Sequence, residues 1–481
     1  MVLDRCLLWL GAAGIAVGVA LAVAPVAAAH TGSDSTSSTT NSGSAGSTAP
    51  KSATPHPKAA VTASNNDSPS PKKQPTPVKV APASTVTKIT TTTTPTFPTT
   101  VRTAQVAHTP AAATPPSPIA AIGSLVFNVL TTAINAFVGP PVLPPGSTVT
   151  VRQSTLQIGT VTAPADWYFP AGPAPPKGLI YLQHGFLASG PMYSYTAATL
   201  AQQTDSVVVA PSLSSNFFAP GGNWLGGVPM QRAVADLFVG DRTALTASAS
   251  AAAGHPVSLP LAFVLIGHSL GGGLAAAAAG YTVDNGASRN LAGVVLFDPV
   301  GNNGAIPTAM AKLPADIPVL MIASPPYFWN EFGGAAVDMV KARPGQFVGV
   351  QLVGGRHIDS MQGGNPLIQF SAYLAAGFSQ PQNIAAVQTL SVGWINDMYN
   401  GTRNGIYAKP GQTISIPTSA GTATAIALPA PPTPLSPLTD LARTVVALGS
   451  NILFGLFGPP AAATAAAQTQ DLTQLSASGS V

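Results

Sequence analysis

The sequence is poor in ionisable side chains and contains almost no cysteine. Only 7% of its 481 residues are Asp, Glu, Lys or Arg, whereas it contains 47 Gly and 48 Pro. Such a composition is typical of chains with long low-complexity segments and unusual for a compact cytosolic protein. The single cysteine, Cys6, lies in an N-terminal apolar segment. A chain that loses this segment has neither a disulfide nor a thiol nucleophile.

Patterns that bind metals or phosphate groups are also missing from the sequence. No His/Cys spacing suits zinc, and no dense acidic loop suits calcium. The glycine-rich stretch "GHSLGGG" at 267–273 lacks the Lys and the glycine order of a phosphate-binding loop. We therefore expect no metal and no cofactor.

The excess of positive charge is confined to one segment. Residues 30–117 contain six Lys and one Arg against two Asp, whereas the chain from Pro118 onward contains 12 basic and 13 acidic residues. The segment 30–117 is therefore the part that favours contact with an anionic cell envelope. The rest of the chain has no basic stripe, so we expect no nucleic-acid partner.

The N-terminus predicts export from the cell. Arg5 precedes an apolar run from Cys6 to Val23, and small residues lead up to Ala29, which together form the pattern of a signal peptide over 1–29. The run is also close to the roughly 18 residues that span a bilayer, so an uncleaved anchor is the alternative. Residues 30–117 are mainly Ser, Thr, Pro and Ala, which predicts a disordered stalk. We expect a secreted or cell-envelope-associated protein.

Two apolar segments flank the remaining part of the chain. They read "PIAAIGSLVFNVLTTAINAFVGPP" at 118–141 and "PLTDLARTVVALGSNILFGLFGPP" at 437–460. Their endings predict helices that stop at Gly-Pro-Pro. The flanking regions that contain these helices are 118–146 and 431–460. Residues 461–481, after the second region, are predicted to be a disordered tail. These helices either lie on a lipid surface or pack on each other or on the domain. The second interpretation is favoured because neither has a Lys/Arg-rich face.

Between the flanking helices, at 147–430, the patterns of strands and helices alternate. Eight candidate strands run from "STVTVRQSTLQIG" to "FVGVQLVGG", and the later ones are short, continuous apolar runs typical of buried parallel strands. The stretch "PMQRAVADLFVGDRTALTASA" has helical spacing. The sequence therefore predicts an α/β domain with a mostly parallel central sheet and helices on both of its faces.

One of these strands ends in a serine between glycines, in "LAFVLIGHSLGGGLAAAAAG" at 261–280. The residues from Gly267 to Gly271 fit G-x-S-x-G, in which the serine occupies a sharp turn between a strand and a helix. Ligands of such sheets bind at the carboxyl ends of the strands. The pattern therefore predicts that Ser269 is a nucleophile and not only part of a tight turn.

On these residues the chain resembles the α/β-hydrolase family of serine esterases and lipases, over about 147–400. The resemblance implies a Ser, acid, His order and places the base after the last strand, at His357 in "VGVQLVGGRHIDS". The other histidines lie in the stalk, before the nucleophile strand or in turns: His30, His56, His108, His255, His184 and His268. The Ala-, Gly- and Pro-rich style is similar to that of secreted proteins of actinobacteria such as mycobacteria.

The acid of the site has two candidates. Asp298 ends the strand "VVLFDP", an arrangement similar to chlorophyllases and cutinase-like polyester hydrolases. The usual acid of the family follows the next strand, where this chain has "IASPPYFWNE" and Glu331 is the carboxylate available. Asp298 is preferred, the alternatives being Glu331 as the acid and Asp298 as a cap of the turn before Pro299.

The resemblance also implies an oxyanion hole and a substrate pocket. Two backbone N–H groups must face the developing oxyanion; we assign those of Leu270 and Phe186, with Leu187 as the alternative to Phe186. Aromatic side chains in two loops at the same sheet edge are candidates for the pocket: Phe217, Phe218, Trp224, Tyr327, Phe328 and Trp329.

Together these features predict a secreted serine hydrolase that cleaves small or medium apolar carboxylic esters through an acyl-enzyme. An acyltransferase of the cell envelope, in which a hydroxyl group replaces water, is one alternative. A catalytically silent wall-associated module that uses the fold as a scaffold is the other.

Overall fold

The computed structural model describes residues 118–301 and 304–431. The predicted signal peptide, the stalk, nearly all of the C-terminal flanking region and the tail lie outside these residues. Within them the strands are β1 (Thr150–Ile158), β2 (Val161–Phe169), β3 (Gly178–Gln183), β4 (Ser206–Pro211), β5 (Phe263–His268), β6 (Leu291–Phe297), β7 (Val319–Ala323), β8 (Gly349–Leu352), β9 (Thr413–Thr418) and β10 (Gly421–Ala427). The α-helices are α1 (Pro118–Val138), α2 (Ser194–Thr204), α3 (Val228–Asp236), α4 (Thr243–Ala253), α5 (Leu270–Asp284), α6 (Ala305–Lys312), α7 (Gly334–Ala342), α8 (Pro366–Ala376) and α9 (Pro381–Asn400).

The ten strands form one mixed sheet in the order β1-β2-β4-β3-β5-β6-β7-β8-β10-β9. The strands from β4 to β8 are parallel, whereas β2 is antiparallel to both of its neighbours. The strand order from β1 to β8 is that of the α/β-hydrolase fold, so the predicted fold class is confirmed. The antiparallel hairpin β9–β10, which extends the sheet beyond β8, was not predicted.

The central strands are buried on both faces, which explains their unbroken apolar sequences. All six residues of each of β3, β4 and β5 are buried. One face packs against α5 through residues such as Leu274, and the other against α2 and α9 through residues such as Leu200 and Trp394. Burying one such aliphatic side chain stabilises the fold by roughly 1.5–3 kcal/mol. The sheet therefore gives the loops at its carboxyl edge a rigid base.

The N-terminal flanking helix α1 packs on this domain with one side only. Phe127 is 2% exposed and contacts Phe217 edge-on, with ring centroids 4.9 Å apart. Residues 121–138 of α1 are long and apolar enough to cross a membrane by length and composition. The contacts of Phe127 show that this helix lies against the hydrolase domain, as the packing interpretation expected of it.

A buried carboxyl group on β2 makes the stability of this fold depend on pH. Asp166 is 2% exposed, and burial raises its pKa to about 6 despite a hydrogen bond that Gln153 donates to its carboxylate at 2.8 Å. The unfolded carboxyl has a pKa near 3.9. Between about pH 6 and pH 4 the native state therefore binds a proton that the unfolded state does not. Protonation of Asp166 stabilises the fold as the pH falls through this interval.

We expect Asp166→Asn to remove this gain. As the pH decreases from 6 to 4, the unfolding free energy of the variant should decrease relative to that of the unmodified protein. The difference should grow by up to about 1.4 kcal/mol per pH unit. Urea denaturation at half-unit pH steps measures the difference, and other titrating groups cancel because both proteins share them. Parallel curves for the two proteins would contradict the raised pKa.

Candidate active site

Ser269 lies in the turn between β5 and α5, in a strained backbone conformation. Its φ is 56° and its ψ is −126°, a region that residues with a side chain rarely adopt. The turn is tight because a Cβ at Gly267 would lie 2.0 Å from the carbonyl oxygen of Gly271, and one at Gly271 would lie 2.2 Å from that of His184. The glycines of G-x-S-x-G are therefore required by close backbone contacts.

The Ser269 side chain is buried but makes no hydrogen bond to the residues that the structure describes. The residue is 1% exposed, and its Oγ has no partner. Leaving a buried hydroxyl unpaired costs about 1–3 kcal/mol. A buried polar group without a hydrogen-bond partner needs an explanation, such as a catalytic role or a bound water.

Backbone hydrogen bonds join the Ser269 turn to the loop that carries Asp298. The Ser269 N–H donates to Phe297 O at 3.0 Å, and the Ser269 carbonyl accepts from Val300 N at 2.8 Å. These two partners bracket Asp298, whose own φ is 39°. The nucleophile candidate and the acid candidate are thus held in one backbone unit.

The Asp298 carboxylate receives hydrogen bonds from three residues. His357 Nδ1 lies 2.7 Å from its Oδ2, Ser324 donates through its N–H at 2.9 Å and through its Oγ at 2.7 Å, and Asn330 Nδ2 donates at 3.2 Å. Burial alone would raise the pKa of Asp298, but the hydrogen bonds and the charge of His357 hold it below its ordinary value. The group therefore stays an anion, able to stabilise a cationic imidazole.

Of the two acid candidates, the structure brings Asp298 to His357. Glu331 lies in a 3-10 helix over Phe328–Gly333, one residue after the Asn330 that donates to Asp298. The Asp298 side chain does not act only as a cap of its own turn, because it accepts hydrogen bonds from the loop after β7 and lies within hydrogen-bond distance of the His357 ring.

His357 follows β8 and is held on several sides. It is 3% exposed, and its backbone N–H donates to the Tyr327 hydroxyl at 2.6 Å. The Trp329 ring stacks on its imidazole, with centroids 6.3 Å apart and planes 18° apart. The ring of His268 lies on the imidazole as well, at a centroid distance of 4.6 Å. The ring of His357 is therefore fixed before any substrate enters.

The turn after β3 places the predicted oxyanion donors beside Ser269. A Cβ at Gly185 would lie 3.1 Å from Ser269 Cβ, so this turn packs directly on the nucleophile candidate. Leu270 is the first residue of α5, and its N–H has no acceptor within the helix. The N–H of Leu187 donates to Ser215 Oγ at 2.8 Å. Phe186, the residue before Leu187, stays the predicted second donor.

A cavity of about 160 Å³ lies against these residues. Its polar lining residues are Tyr193, His268, Ser269, His357 and Ser371, and none of its lining side chains is Asp, Glu, Lys or Arg. The remaining walls are mostly apolar and come from α1, the oxyanion turn, the loops after β7 and β8, and α8: Ile134, Phe186, Leu187, Ala188, Met192, Trp329, Ile358, Met361, Ile368, Ala372, Ala375 and Ala376.

The predicted pocket aromatics separate into two groups. Trp329 lines the cavity, whereas Phe217, Phe218 and Trp224 do not. Those three form an aromatic cluster next to α1, in which Phe127 contacts Phe217 and Phe218, and Phe217 contacts Trp224. The predicted binding role of these three residues stays a prediction; in the structure they lie outside this cavity, next to the helix that carries Ile134 into its wall.

Helix α8 contributes several cavity residues that the sequence analysis missed. Its start could have been recognised, because Asn365 precedes Pro366 and accepts hydrogen bonds from the N–H groups of Leu367 and Ile368. An Asn cap followed by Pro and an apolar run is a helix-start signal.

No protein-family model and no curated protein sequence matches this chain. Several solved esterase structures align with it at TM-scores below 0.5. Brefeldin A esterase, described as a bacterial homologue of human hormone-sensitive lipase, aligns with a TM-score of 0.39 and 16% identity over 60% of this chain and 90% of its own. A thermostable esterase from Pseudomonas putida gives 0.36 and 14% over 58% and 90%. A hyperthermophilic esterase from the archaeon Pyrobaculum calidifontis gives 0.36 and 18% over 55% and 98%. The strand order of this chain from β1 to β8 is itself that of the α/β-hydrolase fold, and Ser269, Asp298 and His357 follow β5, β6 and β8.

Proposed function

We propose that this chain is a serine hydrolase that cleaves carboxylic esters of apolar acids through an acyl-enzyme. The observation that carries the proposal is the 2.7 Å contact between His357 Nδ1 and Asp298 Oδ2 beside a cavity that His357 shares with Ser269. A serine hydroxyl is a weak nucleophile without a base, and this pair supplies an oriented one.

In the proposed reaction, Ser269 Oγ forms a bond to the ester carbonyl carbon while its proton passes to His357 Nε2. Asp298 stabilises the imidazolium that results, because its carboxylate accepts the Nδ1–H. The N–H groups of Phe186 and Leu270 stabilise the oxyanion, and each such donor contributes about 2.7–4 kcal/mol in comparable sites. The carbonyl–alkoxide bond then breaks as His357 returns the proton to the leaving alcohol. Water then attacks the carbonyl carbon of the acyl-enzyme while His357 takes its proton. The bond to Ser269 Oγ breaks as His357 returns the proton to Ser269.

The cavity supports an apolar acyl group of limited size. The cavity of about 160 Å³ lies directly beside Ser269 and His357, and its walls are mostly apolar. The lack of charged residues among its lining side chains disfavours charged acids.

The secreted or cell-envelope location predicted from residues 1–29 stays a prediction, because that segment lies outside the described residues.

A fluorophosphonate probe tests the proposed nucleophile. We expect the unmodified protein to be labelled at Ser269 and Ser269→Ala to remain unlabelled, because the probe reacts only with an activated serine. Peptide mapping by mass spectrometry identifies the labelled residue. Labelling that persists in Ser269→Ala would remove Ser269 from this role, and an unlabelled native protein would favour the silent module. Adding an alcohol acceptor to the ester assay separates transfer from hydrolysis.

Substitution of each carboxylate tests the acid. We expect Asp298→Asn to lower kcat on a p-nitrophenyl ester by about 10⁴-fold, the size of the loss when a triad acid becomes an amide. Glu331→Gln is the matched control and should change kcat by less than about threefold, because Asp298 occupies His357 Nδ1. The opposite ranking would make Glu331 the acid.

Filling the cavity tests the acyl site. Ala372 lines the cavity from α8, whereas Leu374 of the same helix is 46% exposed. We expect Ala372→Phe to shift the preferred p-nitrophenyl ester to a shorter acyl chain, because the new ring narrows the cavity. Leu374→Phe adds an aromatic ring two residues away without entering the cavity and should leave the preference unchanged. Equal profiles for both variants would place the acyl group elsewhere.

A further inference from the structure

The side chain of His268, beside Ser269, connects two loops of the candidate active site. It is 2% exposed. Its Nε2 lies 2.7 Å from the backbone carbonyl oxygen of His357, and its Nδ1 lies 2.5 Å from the Tyr193 hydroxyl. The same hydroxyl lies 3.1 Å from the backbone N–H of Gly185, in the oxyanion turn.

These contacts fix which atoms carry the protons. A carbonyl oxygen only accepts, so His268 Nε2 must carry a proton and donate it to His357 O. In the neutral ring, Nδ1 then accepts from the Tyr193 hydroxyl, whose oxygen in turn accepts from Gly185 N–H. Burial lowers the pKa of His268 to about 3 and raises that of Tyr193. All three hydrogen bonds therefore point the same way, an arrangement in which each strengthens the next.

The second buried histidine of this region has a different task. His184 accepts from Leu213 N–H at Nε2, 2.9 Å away, and its Nδ1 lies 2.7 Å from Gly185 O. Burial lowers its pKa to about 4. Its bonds stay within the β3 and β4 ends of the sheet, whereas those of His268 reach the loop after β8.

We propose that Tyr193 and His268 are positioning residues that hold the backbone of the catalytic base at a fixed distance from the oxyanion turn. This inference rests on the proposed function. Gly185 follows β3 and His357 follows β8, and three strands of the sheet separate them. The peptide groups on both sides of His357 are held by buried side chains, the N–H by Tyr327 and the carbonyl by His268. A displacement of about 1 Å in such a site can cost about 10²-fold in rate.

Paired substitutions at His268 separate positioning from simple packing. His268→Gln keeps an N–H near the place of Nε2, whereas His268→Asn keeps a polar group only near Nδ1. We expect His268→Asn to lower kcat by about 10- to 100-fold with KM within twofold, and His268→Gln to recover kcat to within about fivefold of the native protein. A purely structural role predicts equal losses in the two variants and would overturn the proposal.

Tyrosine variants supply the matched control for the hydroxyl. Tyr193 and Tyr181 are both fully buried, and the Tyr181 hydroxyl donates to Gln183 Oε1 at 2.8 Å. Both Tyr→Phe changes remove one buried hydroxyl, but only that of Tyr193 belongs to the connection. We expect Tyr193→Phe to lower kcat by about tenfold and Tyr181→Phe to leave it unchanged. Equal effects on kcat would contradict the proposal.

Nitrogen-15 NMR of the ring of His268 provides a test that does not depend on activity. We expect a protonated Nε2 and an unprotonated Nδ1 from pH 5 to pH 8 in the native protein. A proton on Nδ1 would refute the connection even if ester hydrolysis is observed. Failure of the native protein to react with the fluorophosphonate probe, with the expected NMR pattern intact, would refute the proposed function instead.

Discussion

The close backbone contact between β5, the start of α5 and the turn after β3 is the constraint on which the active edge depends. It leaves no room for a Cβ at Gly267 or Gly271, and it forces Ser269 into a backbone region that costs of order 1–3 kcal/mol. Because Ser269 exchanges backbone hydrogen bonds with both sides of Asp298, the same contact fixes the loop after β6. The predicted oxyanion turn, nucleophile and acid thus form one backbone unit.

Charge is scarce in this chain, and the site uses it sparingly. Asp298 is the buried anion of the proposed triad, and hydrogen bonds from His357, Ser324 and Asn330 offset the desolvation that burial imposes. An ion buried without such partners would cost several kcal/mol. The other polar links are made by neutral groups, such as the buried ring of His268. A second positive charge on that ring would oppose the cation that His357 must carry during the proposed reaction.

The parts of the site that are local in the sequence were predictable, and the parts that depend on packing were not. Ser269 follows from its glycines, and His357 and Asp298 from the strand ends they follow. The cavity walls depend on which apolar helix covers the sheet edge, and neither α1 nor α8 carries a pattern that specifies its partner. For the same reason the loop with Phe217 was predicted to line the pocket, whereas in the structure Phe217 packs against Phe127 of α1. The hairpin β9–β10 was missed because its strands are short, "TISIPT" contains a proline and "GTATAIA" is rich in Gly and Ala, residues that are depleted in strands.

The loop after β7 offers a physical reason why the proposed acid, Asp298, lies after β6 and not after β7. His357 Nδ1 lies 2.7 Å from Asp298 Oδ2, a carboxylate from the loop after β6. The loop after β7 supplies the groups that surround the acid and the base: Ser324 and Asn330 donate to Asp298, Tyr327 accepts the His357 N–H, and Trp329 stacks on the imidazole. A carboxylate that starts from β6 needs donors on its far side to stay ionised while buried. The loop after β7, which ordinarily carries the acid, lies next to Asp298 and provides these donors. The polar and aromatic sequence "SPPYFWNE" is therefore consistent with an acid that follows β6.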